Sequence, residues 1–122
     1  MRGLRLFVRP IEAGDQKDVE AFLARQGAVS VPACGLLGKL LGDIVAVVSL
    51  EITDDALRVD DVVVASELRR KWIGRVMMRE VEQLAAKMDR RRVVVEDARD
   101  AQEFFRRTGF EREGERWIRV VS

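Results

Sequence analysis

Three consecutive cations, Arg69, Arg70 and Lys71, stand immediately before Trp72-Ile73-Gly74-Arg75, where a β-branched run, Val62-Val63-Val64, gives way to a long amphipathic stretch. A helix start is the wrong place for positive charge. Its unpaired N–H groups already amount to a partial positive charge, and each cation added at an exposed site is disfavoured by about 0.3–1 kcal/mol. An anion removes the conflict. Strand, short loop and helix start, with free amides, flanking Arg and Lys and a glycine for close approach, make a phosphate cradle. It lacks the Walker lysine pattern. The plain alternative is a solvated charged turn balanced by Glu67.

The elements that must position this segment can be read from periodicity. Leu4 to Arg9 alternates and stops at Pro10, as a strand does. A helix follows from Asp15, an N-cap type with Asp18 in the first turn, and Gly27 ends it. The segment 28–42 holds Pro32, Gly35, Gly38 and Gly42 among paired leucines and reads as a loop with one short helix. Ile44 to Leu50 and Leu57 to Val64 are strand-like runs joined across Thr53-Asp54-Asp55, the pattern of an antiparallel pair. Ile73, Met77, Val81, Leu84 and Met88 recur at helical spacing, which predicts a helix from Ile73 to about Met88. Val93-Val94-Val95 is a buried strand, Ala101 to Thr108 a short helix stopped by Gly109, and Glu115 to Val121 a last strand. This is an α+β chain: a mixed, mostly antiparallel central sheet flanked by helices in a three-layer arrangement, with 1–122 as one domain.

Read with its flanks, Val64-Ala65-Ser66-Glu67-Leu68-Arg69-Arg70-Lys71-Trp72-Ile73-Gly74-Arg75 resembles the acetyl-coenzyme A signature of the GNAT superfamily of N-acetyltransferases, R/Q-x-x-G-x-G/A. Val64, Glu67, Arg69 and Gly74 match, while Trp72 stands where the family usually has its first glycine. A second motif, N-x-x-A-x-x-F-Y followed by G-F, is matched by Ala101, Phe104, Gly109 and Phe110, with Ala98 in place of Asn and Phe105 in place of Tyr. The element order is that of a small GNAT domain, so the resemblance covers nearly the whole chain.

The resemblance implies acetyl-CoA as cosubstrate and direct transfer of its acetyl group to an amine of a small molecule, peptide or protein. It implies that backbone N–H groups near Val62, Val63 and Val64 bond pantetheine and polarise the thioester. Arg69, Arg70, Lys71, Trp72, Ile73, Gly74 and Arg75 would hold the pyrophosphate, and Phe105 would wall the coenzyme channel. The family's frequent strand Glu falls at Arg58, which is no base. Asp60, on the same face as Arg58 by alternation, is the first candidate to take the amine proton, and Asp61 the second. Glu96 and Asp97 are further carboxylates whose simpler role is to cap the next helix. The chain has no Tyr and no His, so the usual thiolate acid is missing. The alternative within the same fold is therefore a GNAT-like module that binds acyl-CoA or a protein partner without turnover. An unrelated interaction domain is the third reading.

Composition narrows the rest. With 122 residues, 48% of them hydrophobic, the chain can bury a real core, and 22 Lys and Arg against 21 Asp and Glu give +1, no field for nucleic acid or an anionic membrane. No metal is expected, since one cysteine and no His assemble no ordinary zinc site. No apolar stretch reaches the length of a membrane span and no signal peptide is visible, so a cytoplasmic location is expected. Cys34 suits a small buried hydrophobe better than an acyl carrier. The Arg90-Arg91-Arg92 and Arg106-Arg107 clusters could reach the 3′-phosphate or an acidic partner, though solubility accounts for most of them. Exposure of Trp72 or Trp117 would be compatible with a homodimer.

Overall fold

Alternating apolar residues and reversals at Gly and Asp positions give short strands, and the 3.6-residue apolar periods give the helices that cover them. A computed structural model describes residues 5–28, 32–68, 72–96 and 98–121. Its elements are β1 (Leu6–Pro10), a 3₁₀ turn (Ala13–Asp15), α1 (Gln16–Arg25), β2 (Gly35–Leu40), β3 (Asp43–Ile52) and β4 (Ala56–Val64). After a 3₁₀ turn at Ser66–Leu68 come α2 (Ile73–Lys87), β5 (Arg92–Val95), a 3₁₀ turn (Arg99–Ala101), α3 (Gln102–Arg107), β6 (Glu111–Glu113) and β7 (Arg116–Val120). Among the described residues seven strands form one sheet in the order β1-β2-β3-β4-β5-β7-β6. Every neighbouring pair is antiparallel except β4 and β5.

Helices cover both faces of the sheet. Gly38 pairs with Ala46 and its missing Cβ would lie 2.9 Å from Met77 Sδ, so Ala46 and Val48 face α2. Val45, Val47 and Ser49 then face α1. Val45, Ala46, Val47 and Val48 are consecutive and all buried, as a strand covered on both sides requires. Ile73, Met77, Met78, Val81 and Ala85 supply the buried stripe of α2, and Val19, Phe22 and Leu23 that of α1. Beyond α1's reach, Ala56, Val94 and Ile118 form a small separate cluster on the α1 side of β4, β5 and β7. Flanking arginines pair with carboxylates there: Arg92 with Asp55 and Arg116 with Glu96 and Glu113.

The segment 28–42 differs from its expectation. Gly35–Leu40 is a central strand, β2, and not a loop with a short helix. Its glycines are not breakers but clearances. A Cβ on Gly35 would strike the Val48 carbonyl oxygen of the neighbouring strand, and one on Gly38 would strike α2. Paired leucines with glycine spacers imitate helical spacing although both faces of the strand are covered. The C-terminal strand is also preceded by β6, too short and too charged to show alternation. The N-terminus of α1 is tied differently as well. Asp15 makes no side-chain bond to α1; its carboxylate takes two hydrogen bonds of 2.7 Å from Arg9 and one of 2.8 Å from the Glu12 N–H, joining β1 to the turn before α1. Those bonds, the Arg9 pair first, hold the Asp15 carboxyl well below the usual carboxylate range. Among the described residues no helix is long and apolar enough to cross a membrane.

Candidate active site

The site begins where the sheet comes apart. β4 and β5 run parallel through only four residue pairs, from Ala56 with Arg92 to Val59 with Val95, and no pairing continues past Val59. The register between β3 and β4 shifts at the same level, with Leu50 opposite Val59 and Ser49 opposite Asp61, so Asp60 is the extra residue of a bulge. A bulge bends its strand, here at the point of divergence. The ladder then resumes. The Ala65 N–H donates to the Val45 carbonyl at 2.8 Å, so by alternation Val63 and Asp61 turn their backbone groups to β3. Val62 and Val64 turn theirs to the gap left by β5. The Val62 N–H donates to Asp61 Oδ1 at 3.0 Å.

On the α1 side of this gap lies a groove of about 1020 Å3 whose floor includes Ser49, Leu50, Asp60, Asp61 and Val62. Gln26, Pro32 and Cys34 form one wall and Arg99 contributes to the other. The bulge places both carboxylates on this groove. Asp60 Oδ1 accepts from Arg58 Nε at 2.9 Å, and Arg58 NH2 also reaches Glu51 Oε2 at 2.5 Å. The bond from Asp60, then its charge, raises the Arg58 pKa, so this guanidinium is a fixed cation between two carboxylates. Among the described residues Asp61 has no such partner and is held only to the Val62 amide. The expectation that Asp60 and Arg58 share a face is met directly by their contact.

On the opposite side α2 starts at Ile73, and the Val76 N–H makes its bond to the Trp72 carbonyl at 3.1 Å. The amides of Ile73, Gly74 and Arg75 therefore precede that first turn bond, as a helix N-terminus requires. Arg69, Arg70 and Lys71 lie outside the described residues. Trp72 has φ −80° and ψ −6° and its side chain is 45% exposed. The backbone at the family's glycine position thus needs no left-handed angle, and the indole stands in solvent. Gly74 has another reason for being glycine: its Cβ would lie 3.1 Å from Phe104 Cε1 and 3.3 Å from Cζ. The hydrogen on Gly74 gives α3 its close approach to the start of α2.

The two adjacent phenylalanines of α3 differ in burial. Phe105 is 3% exposed, with ring centroids 5.1 Å from Phe104 and 5.4 Å from Phe110. It is a core ring; Phe104, only partly buried, is the ring that borders the α2 N-terminus. Trp117 is buried under Arg106, 5.3 Å above its ring, and is not available to a second copy. Glu96 caps nothing and pairs with Arg116 at 3.8 Å, and Asp97 lies outside the described residues. Cys34, expected to be buried, is only partly so: it packs against the core and also borders the groove.

Two residues at the site carried no sequence signal. Gln26 Oε1 accepts the Ser66 N–H at 3.0 Å across 40 positions of sequence, fastening the end of α1 to the turn that leads into the cation cluster. Arg99 holds a left-handed φ of +48° just after β5 and borders both the large groove and a second cavity of about 460 Å3 beside Gln102, Arg112 and Trp117. A non-glycine residue in that region costs about 1–2 kcal/mol, and sequence alone does not reveal it.

The Acetyltransferase (GNAT) family model matches residues 5–110. No curated protein matches. Among solved structures, the ribosomal-protein-S18-alanine N-acetyltransferase from Escherichia coli superposes with a TM-score of 0.80 at 11% identity, over 97% of this chain and 95% of that one. A GNAT family N-acetyltransferase (YhbS) from Escherichia coli in complex with CoA gives 0.79 at 16%, over 100% and 84%. Ard1 from Thermoplasma volcanium gives 0.78 at 14%, over 96% and 98%.

Proposed function

Since the chain belongs to the GNAT acetyltransferase family, whose cosubstrate is acetyl-CoA, we propose that it transfers the acetyl group directly to an amine seated in the groove beside Asp60 and Asp61. The observation that carries this reading is the divergence of β4 from β5 past Val59, with the Val62 amide turned into the gap. The gap joins two unlike surfaces. On the α2 side is a helix N-terminus, a setting suited to a pyrophosphate; on the α1 side is an open groove with carboxylates.

Each part of the chain then has a task. Arg69, Arg70 and Lys71 supply charge to the phosphates, and the amides at Trp72 to Arg75 supply directed donors. The backbone near Val62, Val63 and Val64 orients the pantetheine arm and bonds the thioester oxygen, where loss of a donor typically costs about 10²–10³ in rate. A groove carboxylate takes the proton of the attacking amine, and solvent returns one to the leaving thiolate, since no Tyr or His is present.

Calorimetric titration with acetyl-CoA tests the first half. Micromolar binding, lost when Arg69, Arg70 and Lys71 are together replaced by Gln, supports it; no binding at millimolar ligand refutes it. A screen of small amines and peptide N-termini for acetyl transfer tests the second. Binding without any turnover across that screen would leave an acyl-CoA-binding module.

A further inference from the structure

The Val62 amide is not idle: its hydrogen is taken by the carboxylate of the residue before it, Asp61. Both groups sit at the divergence of β4 and β5, and Asp61, opposite Ser49, projects to the groove side. One N–H has one hydrogen, and an arriving carbonyl oxygen needs the same position. A carboxylate and a thioester oxygen cannot share it, because two acceptors, one of them charged, repel at that distance. We infer that Asp61 is a displaceable plug on the thioester-binding amide, and that acetyl-CoA, by taking the Val62 N–H, frees the Asp61 carboxylate to accept the amine proton in the groove.

The inference rests on the acetyltransferase reading and goes past it in naming which carboxylate acts and what releases it. Asp60 is not equivalent, because its Oδ1 is bound by the Arg58 guanidinium, which nothing in acetyl transfer displaces. The charges also balance. The amine nitrogen forms its bond to the thioester carbon, the carbonyl π pair moves to the oxygen held by the Val62 N–H, and one N-bound proton passes to Asp61. A carboxylate beside a developing oxyanion would oppose it, so neutralising Asp61 in the same step removes the repulsion as it arises. The carbonyl then re-forms, the C–S bond breaks, and the thiolate takes a proton from water while Asp61 returns its own to solvent. The amide product leaves, and Asp61 recloses on Val62.

The discriminating measurement compares acetyl-CoA with CoA, because only the acetyl form carries the competing oxygen. Calorimetry is run on the wild type, Asp61→Ala and Asp61→Asn. In the wild type the gained and lost bonds offset, and the two ligands bind within about twofold of each other. In Asp61→Ala the preference for acetyl-CoA rises about fivefold, the difference between a charged and a neutral competitor for one donor. Asp61→Asn, which keeps an oxygen without the charge, falls between. The Val62 amide resonance shifts on adding acetyl-CoA to the wild type and not on adding CoA, and in ligand-free Asp61→Ala it is already displaced. Turnover with an amine from the screen falls at least a hundredfold in both variants.

An acetyl-CoA to CoA ratio that is the same in Asp61→Ala as in the wild type overturns the plug. Unchanged turnover in both variants overturns the proton role. Failure of the wild type to bind either ligand is a different result: it overturns the acetyltransferase reading and this inference with it. The side chain is exposed, so folding of the variants is checked by circular dichroism and is expected to be native.

Discussion

Replacing Gly74 by alanine separates two explanations for the same glycine. If the backbone there must lie against a pyrophosphate, any side chain excludes the ligand. The structure instead directs the missing Cβ at Phe104, 3.1 Å from Cε1 and 3.3 Å from Cζ. Those distances are a few tenths of an ångström too short, and overpacking of this kind costs about 1–3 kcal/mol. Alanine also recovers up to about 1 kcal/mol of helix propensity over glycine. The net loss is about 1 kcal/mol, which for a domain of this size lowers Tm by about 4 °C. Phe104 is only partly buried, so the double variant Gly74→Ala/Phe104→Leu relieves the contact and restores about 0.5–1 kcal/mol of coupling. Acetyl-CoA affinity, read by calorimetry, changes by less than about threefold in both proteins. A Tm equal to the wild type together with a tenfold or greater loss of binding that Phe104→Leu does not rescue would refute the packing explanation.

Acid should loosen the joint between β1 and α1. An unfolded Asp titrates near pH 4 and Asp15 in the folded protein titrates lower, so the stabilisation is complete above about pH 4 and fades as pH falls toward the native value. Thermal melts from pH 7 to 2 should show Asp15→Asn less stable at neutral pH, with the gap to the wild type closing at the acid end; a constant gap would contradict the assignment. Phe105→Ala should cost about 3–5 kcal/mol in urea unfolding, as a buried aromatic does, and Phe104→Ala distinctly less; equal losses would contradict the difference in burial. Gly35→Ala drives a methyl into the Val48 carbonyl and should destabilise by more than about 2 kcal/mol, and a neutral result would mean that β2 and β3 are not paired in the register described.

The strand–helix alternation from Ile44 to Val95 was legible because each element there has one strong period. The antiparallel pair, α2 and the short buried β5 all stand where their apolar residues place them. β2 was not legible, because its leucines are buried on both faces and its glycines serve neighbouring backbone and α2, which are distant in sequence. Of the candidate site, the helix start at Ile73 follows from apolar spacing, and Asp60 and Asp61 were singled out through the resemblance. The bulge that brings the two carboxylates to one groove depends on the register with β3, and the Gln26 bond to Ser66 depends on how α1 docks. Which of Phe104 and Phe105 is buried has a similar origin. Adjacent aromatic residues look alike in a motif, and only the azimuth of α3 decides which one enters the core.

The four-pair joint between β4 and β5 also marks where this protein can be divided. On one side lies an antiparallel leaf of β1 to β4, on the other a leaf of β5, β7 and β6, and the chain passes between them through α2 and a tight turn at Asp89, whose φ is +57°. Nicking the chain in that turn leaves two fragments, each holding its own antiparallel ladder, that meet again along one short parallel edge and under one helix. The cleft exists only when the fragments are together. Acetyl-CoA binding would then report the proximity of any two partners fused to the halves, which makes this short parallel edge a ready split point for a complementation sensor.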